Sequence, residues 1–229
     1  MGRGLAEARY GYVLSELFPV MTVQDQVFSP FYRLVISRPG MSPDTVASFR
    51  SNNALWFDAA DRIPYSSAWT PFGDAGAWAT IGDSTLVFAD GYTGEIAWHH
   101  MRQAGVEVGR LALVPVNVRA VSDSDLSEVK RQIRADCGDA LPGRIELRGP
   151  ALWSGITRLV ADESSGLIYI GTPLTGGSLQ WRVLHPDDAV TSLILPERLD
   201  LKSVRGQMLY GVVEDEFGVS TVRVLRNSR

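Results

Sequence analysis

A run of four short strands between Pro71 and Val114 leaves few folds open to this chain. They read as Ala77 to Ile81, Ser84 to Ala89, Gly94 to His99 and Val106 to Val114, each carrying aromatic or β-branched residues. Gly82-Asp83 and Asp90-Gly91 mark the first two turns. A second set follows with the same grammar, again over about forty residues: Ile156 to Ala161, Leu167 to Thr172, Ser178 to Leu184 and Ala189 to Leu195. Its turns are Asp162 to Gly166, Leu174 to Gly177 and His185 to Asp188. A lone twisted sheet of this size cannot bury both its faces, so the repeat predicts sheets stacked on sheets.

The flanks carry shorter sets. Tyr10 to Glu16, Phe31 to Ser37 and Thr45 to Phe49 read as three strands of a set without its first. Leu201 to Arg205, Gln207 to Glu214 and Val219 to Leu225 read as three strands of a set without its fourth. The segment 50–70 reads as a connection with Leu55-Trp56-Phe57 tucked against a sheet. Between Ser122 and Gly138 the period changes: Leu126, Val129, Ile133 and Cys137 recur at three- and four-residue steps. Ser122 with Asp125 resembles a capping pair and Gly138 a stop, which predicts a helix over 122–137. Its apolar stripe is expected to pack Leu126, Val129 and Ile133 against the sheets.

Successive four-stranded meanders of this period are the signature of a β-propeller, whose blades stack radially and leave only short edges exposed. The chain resembles the six-bladed β-propeller proteins grouped with NHL-repeat and TolB-like propellers, which are widespread in bacteria. Pro71-Phe72 before Trp78-Ala79 carries the resemblance, with the Asp90-Gly91-Tyr92 turn before Ile96-Ala97-Trp98. So does the closing run from Leu209 to Ser220 with Val222 to Leu225, and so does a helical insertion between blades. The expected architecture is one incomplete all-β propeller domain over 1–229. Its blades fall near 10–50, 72–117, 153–197 and 198–229, with the helical insertion at 118–152. Fourteen strands against the twenty-four of six blades predict the C-terminal part of a longer propeller, whose ring does not close. Where an Asp-rich turn belongs between the third and fourth strands of the first full blade, the chain has His99 to Gly105, which obscures the fourth strand's register. The resemblance also implies an export signal or lipid attachment upstream, hence a periplasmic or cell-surface location.

Composition bounds function rather than naming it. The 229 residues are 45% hydrophobic and 21% charged, which suits a globular domain with a sizeable core. A net charge of −4 and a pI near 5.4 provide no basic field for nucleic acid. The single cysteine, Cys137, forms no internal disulfide and reads as a small apolar helix residue. The first nine residues lack a signal peptide's apolar core, and no run approaches the ~20 apolar residues that span a bilayer.

Chemistry-bearing residues are sparse. His99 and His100 are adjacent on a strand and point to opposite faces, so they cannot share one metal ion; they read as a partly exposed pair at a strand end. His185 reads as a solvated turn residue, and Asp123 with Asp125 as helix-start residues rather than a calcium loop. Ser127-Glu128-Val129-Lys130 matches a Ser-x-x-Lys element by its letters alone. No nucleophile elbow, phosphate loop or dinucleotide fingerprint occurs, so no catalytic residue, transition metal, nucleotide or other cofactor is expected.

The innermost strand of a propeller blade lines the channel, which nominates Trp78 and Arg158 as ligand contacts. The leading reading is a non-catalytic binding module for a protein or small ligand. The alternative is a propeller hydrolase or lyase with a metal at the channel mouth, to which Asp83, Asp90 and Asp162 would contribute. Open blade edges also predict a marginally stable chain that self-associates.

Overall fold

The computed structural model describes residues 4–8, 12–17, 31–38, 40, 42–50, 54–58, 76–128, 131, 144–148, 152–174, 178–196, 199–215 and 217–227. Within them lie nineteen strands, and every strand pair is antiparallel. The first sheet is a meander of β1 (Gly4–Ala8), β2 (Tyr12–Leu17), β3 (Phe31–Ser37) and β4 (Asp44–Arg50). After β5 (Ala54–Asp58) the second sheet follows, with β6 (Gly76–Ile81), β7 (Thr85–Asp90), β8 (Glu95–Arg102) and β9 (Gly105–Leu113). Three short strands come next: β10 (Arg119–Ala120), β11 (Arg144–Arg148) and β12 (Leu152–Trp153). The third sheet is β13 (Arg158–Ala161), β14 (Ile168–Pro173), β15 (Leu179–Leu184) and β16 (Val190–Leu193). The fourth has three strands, β17 (Asp200–Arg205), β18 (Met208–Glu214) and β19 (Ser220–Arg226).

The sheets stack in chain order. On β7, consecutive residues Leu86 to Ala89 are all buried because both faces of the second sheet are covered. Leu86, Phe88 and Met101 meet Leu34 and Ile36 of the first sheet. Val87, Ala89, Ile96 and Trp98 meet Leu159, Ile168, Ile170 and Leu184 of the third. The third sheet's other face, with Val160, Tyr169, Trp181 and Val183, meets Leu201, Val204 and Leu209 of the fourth. Each large side chain so buried contributes about 1.5–3 kcal/mol, so the stack rather than any one sheet is the stable unit. At the second interface Arg110 adds a polar latch. Its guanidinium lies 4.5 Å from the Trp98 ring centre, pairs with Asp188, and donates to the His185 carbonyl at 3.1 Å. The architecture is all-β, built from stacked antiparallel meanders of the blade type.

Several expectations need correction. The N-terminal set has four strands, because Gly4–Ala8 supplies the first; it is too short and Ala-rich to be read by alternation. Residues 54–58 are not a tucked connection but a strand paired along its length with Arg144–Arg148, from Ala54↔Arg148 to Asp58↔Arg144. The helical insertion of 118–152 therefore carries strands as well: β11 and the β10–β12 pair. Helix is present at 123–128 and at 131, with Leu126 half-buried; Val129, Ile133 and Cys137 lie outside the described residues. His99 and His100 are not at a strand end, since β8 continues to Arg102. The obscured register resolves into a bulge, with Trp98 opposite Arg110 but His99 opposite Val108. Gly109 is the extra residue, and a Cβ there would stand 2.2 Å from His100 Nε2.

Candidate binding surface

First strands of successive sheets lie side by side, β6 against β13 and β13 against β17, as the inner strands of blades do. The turns that follow them also meet. A Cβ on Gly82, after β6, would touch the Glu163 carboxylate after β13 at 2.8 Å. Asp162, 1% exposed, accepts from the Ser164 amide at 3.2 Å and hydroxyl at 2.9 Å, from the Ser165 hydroxyl, and from the Gly206 amide after β17 at 3.1 Å. Burial works against its charge, but the Ser165, Gly206 and Ser164 bonds outweigh it and hold the carboxyl below its ordinary range.

Trp78 on β6 is half-buried and packs against the cluster between the first two sheets. Arg158 on β13 is exposed, and its guanidinium donates to the Thr157 carbonyl at 3.4 Å. The two occupy neighbouring inner strands.

Other polar residues have structural work. His99 is 8% exposed; burial first, and then the neighbouring His100, push its pKa below the ordinary value. His100 Nδ1 lies 3.0 Å from the Thr85 hydroxyl, and His185 Nε2 lies 2.9 Å from the Thr191 hydroxyl. Asp83 and Asp90 sit at opposite ends of β7, and Asp90 accepts from the Tyr92 and Thr93 amides at 2.8 and 2.9 Å. With Asp162 committed to its own turn and to Gly206, the three carboxylates share no site. Among the described residues no three His, Cys, Asp or Glu side chains group as metal ligands.

Asp125 belongs to the helix start. It accepts from the Ser122 amide at 2.9 Å, while its own amide donates to Ser122 Oγ at 3.2 Å. Arg119 binds it through both terminal nitrogens, at 2.7 and 3.1 Å, and stacks 4.7 Å from the Trp153 ring centre. The Arg119 bond is the main reason its carboxyl lies far below the usual range. Lys130 of the Ser-x-x-Lys match lies outside the described residues.

The fourth sheet is different in kind. One face packs on the third sheet; the other presents Tyr210, Val212, Val222 and Val224, with Val222 69% and Val224 49% exposed. Strand pairing shows what these positions are. Val204 opposes Leu209 as Ala161 opposes Ile168, and Leu209 opposes Leu225 as Ile168 opposes Leu184. On the other face Tyr210 opposes Val224 as Tyr169 opposes Val183, and Val212 opposes Val222 as Gly171 opposes Trp181. The open face thus repeats the very positions of the third sheet that the fourth sheet covers. Sequence reasoning passed over these residues. The signal was there in the alternation of Val222, Arg223, Val224 and Leu225 on a terminal set of three strands.

No family model matches this chain, and no curated protein matches it. Among solved structures it is similar to TolB from Acinetobacter baumannii, with 11% identity and a TM-score of 0.31, over 95% of this chain and 49% of that one. It is also similar to a protein from Bacteroides uniformis named as a candidate 6-phosphogluconolactonase, with 7% identity and a TM-score of 0.33, over 97% of this chain and 70% of that one. The chain spans about half the length of the TolB structure. At these scores neither likeness assigns an activity or a ligand. Among the described residues no helix is long and apolar enough to cross a membrane.

Proposed function

We propose that this chain is a non-catalytic binding module of the propeller type, and that it engages other polypeptides through the open face of its fourth sheet. One observation carries the reading: Val222 and Val224 are exposed on a face whose counterparts, Trp181 and Val183, are buried under the next sheet. An apolar sheet face left open in this way marks an interaction surface. The test is the double variant Val222→Asp with Val224→Asp. Fluorescence of a bound apolar dye is expected to fall sharply, while Tm holds within about 4 °C, as surface substitutions allow. Unchanged dye fluorescence would defeat the reading.

A second reading places a small ligand over the inner strands. It is favoured by the exposed guanidinium of Arg158 on the strand next to Trp78. An Arg158→Ala variant that retains binding of every anionic ligand the wild type takes would remove it. The hydrolase or lyase alternative requires a channel-mouth metal, and metal content of the purified protein decides it.

A further inference from the structure

The seam between the second and third sheets holds a cation without a counter-charge among the described residues. Arg182 on β15 stands opposite Ile170 of β14, so it lies on the face that packs against the second sheet, in line with Leu184. Its side chain is half-buried. Nη1 donates to the Pro115 carbonyl, just after β9, at 2.6 Å, and Nη2 donates to the Thr172 hydroxyl at 3.2 Å. Both acceptors are neutral. Nε is sealed from solvent without an acceptor, and each terminal nitrogen keeps a second N–H that no described residue accepts. Burial pushes the Arg182 pKa below its ordinary value, with no carboxylate to raise it, yet a guanidinium stays charged in a protein. Cations in such settings are ordinarily paired. Thr172 is 8% exposed, and because its oxygen accepts from Arg182 its own O–H remains to donate, again with no acceptor among the described residues. Pro115 and Gln180, which stands opposite Thr172, are exposed, so this end of the seam meets solvent.

We propose that Arg182 and Thr172 form a receptor for the carboxylate of a small organic acid, seated at the open end of this seam. The unspent terminal N–H groups of Arg182 and the Thr172 O–H supply charge-assisted hydrogen bonds to the carboxylate oxygens. A single negative charge matches the single cation. A phosphate dianion would leave one charge uncompensated in a half-closed setting, beside the Pro115 carbonyl oxygen. The site is separate from the Arg158 surface, because Arg158 shares its strand face with Val160, which packs toward the fourth sheet. Nor does it depend on the open face of the fourth sheet.

The experiment titrates benzoate, and inorganic phosphate at equal ionic strength, into the full chain and follows the Arg182 Nε–H resonance by nitrogen-15 NMR. Benzoate is expected to shift that resonance saturably, and phosphate to bind about tenfold more weakly. Thr172→Val keeps the side-chain volume and removes one donor, so it should weaken benzoate about fivefold. Arg182→Lys keeps the charge but loses the planar fork, and a loss of about tenfold is expected by calorimetry. Arg158→Ala should leave benzoate binding unchanged. An Arg182 resonance that benzoate does not move overturns the proposal, and this reading on the wild-type chain needs no variant to fold. Phosphate binding as tight as benzoate overturns it too. So does benzoate binding that survives Arg182→Lys and Thr172→Val but is lost in Arg158→Ala, since the anion then sits on the other face of the third sheet. The dye experiment on Val222 and Val224 decides the open-sheet reading separately.

Discussion

Asp162 ties two turns together, and its environment sets what its loss costs. Substituting Asp162→Ala strips partners from the Ser164 and Gly206 amides in a closed setting, so thermal unfolding is expected to show a loss of about 1–3 kcal/mol. Because the carboxyl is held below its ordinary range, its contribution is present above about pH 4 and is lost as pH falls through the lowered value. His99 runs on the opposite side of neutrality. Its folded pKa lies below the ordinary 6.5, so on acidification the unfolded chain takes up the proton first. Stability is therefore full above about pH 7 and erodes as pH falls below 6.5 toward the folded value. Urea midpoints measured between about pH 8 and pH 5 should decline for wild type and decline less for His99→Leu. An equal slope for both would show that His99 is not the group responsible.

Gly94 and Gly109 show how single residues shape strands. Gly94, just before β8, has φ +76, and a Cβ there would stand 2.1 Å from the Val114 carbonyl oxygen. Backbone cannot yield as a side-chain tip can, so Gly94→Ala should cost more than the ~1–2 kcal/mol of a left-handed residue alone. Its measure is the loss of unfolding free energy in denaturant. A cost below that range would mean that the β8 entry relaxes freely. The β-meanders themselves were legible because aromatic and β-branched residues alternate between clear turns: β3 and β6 to β9 fall within two or three residues of their expected ends. The pairing of Ala54–Asp58 with Arg144–Arg148 was not legible, because partners about ninety residues apart leave no local pattern.

Stacking makes the middle sheets the most protected part of the molecule. Among the described residues the second sheet is covered on both faces, while the fourth is covered on one and has β19 as its last strand. Amide exchange should accordingly be slowest in β7 and β8 and faster in β19. Equal protection of the two would mean that the open face is covered in solution. The strand order within the second, third and fourth sheets, their antiparallel pairing and the cap at Ser122 and Asp125 could be read from residues alone, since alternation, turn chemistry and capping act over a few neighbours. The candidate binding surface could not. Val87, Tyr169 and Tyr210 occupy one position in three successive sheets, yet whether such a residue is buried depends on the sheet laid over it. Burial is a property of the stack, so only the tertiary structure separated the covered faces from the open one.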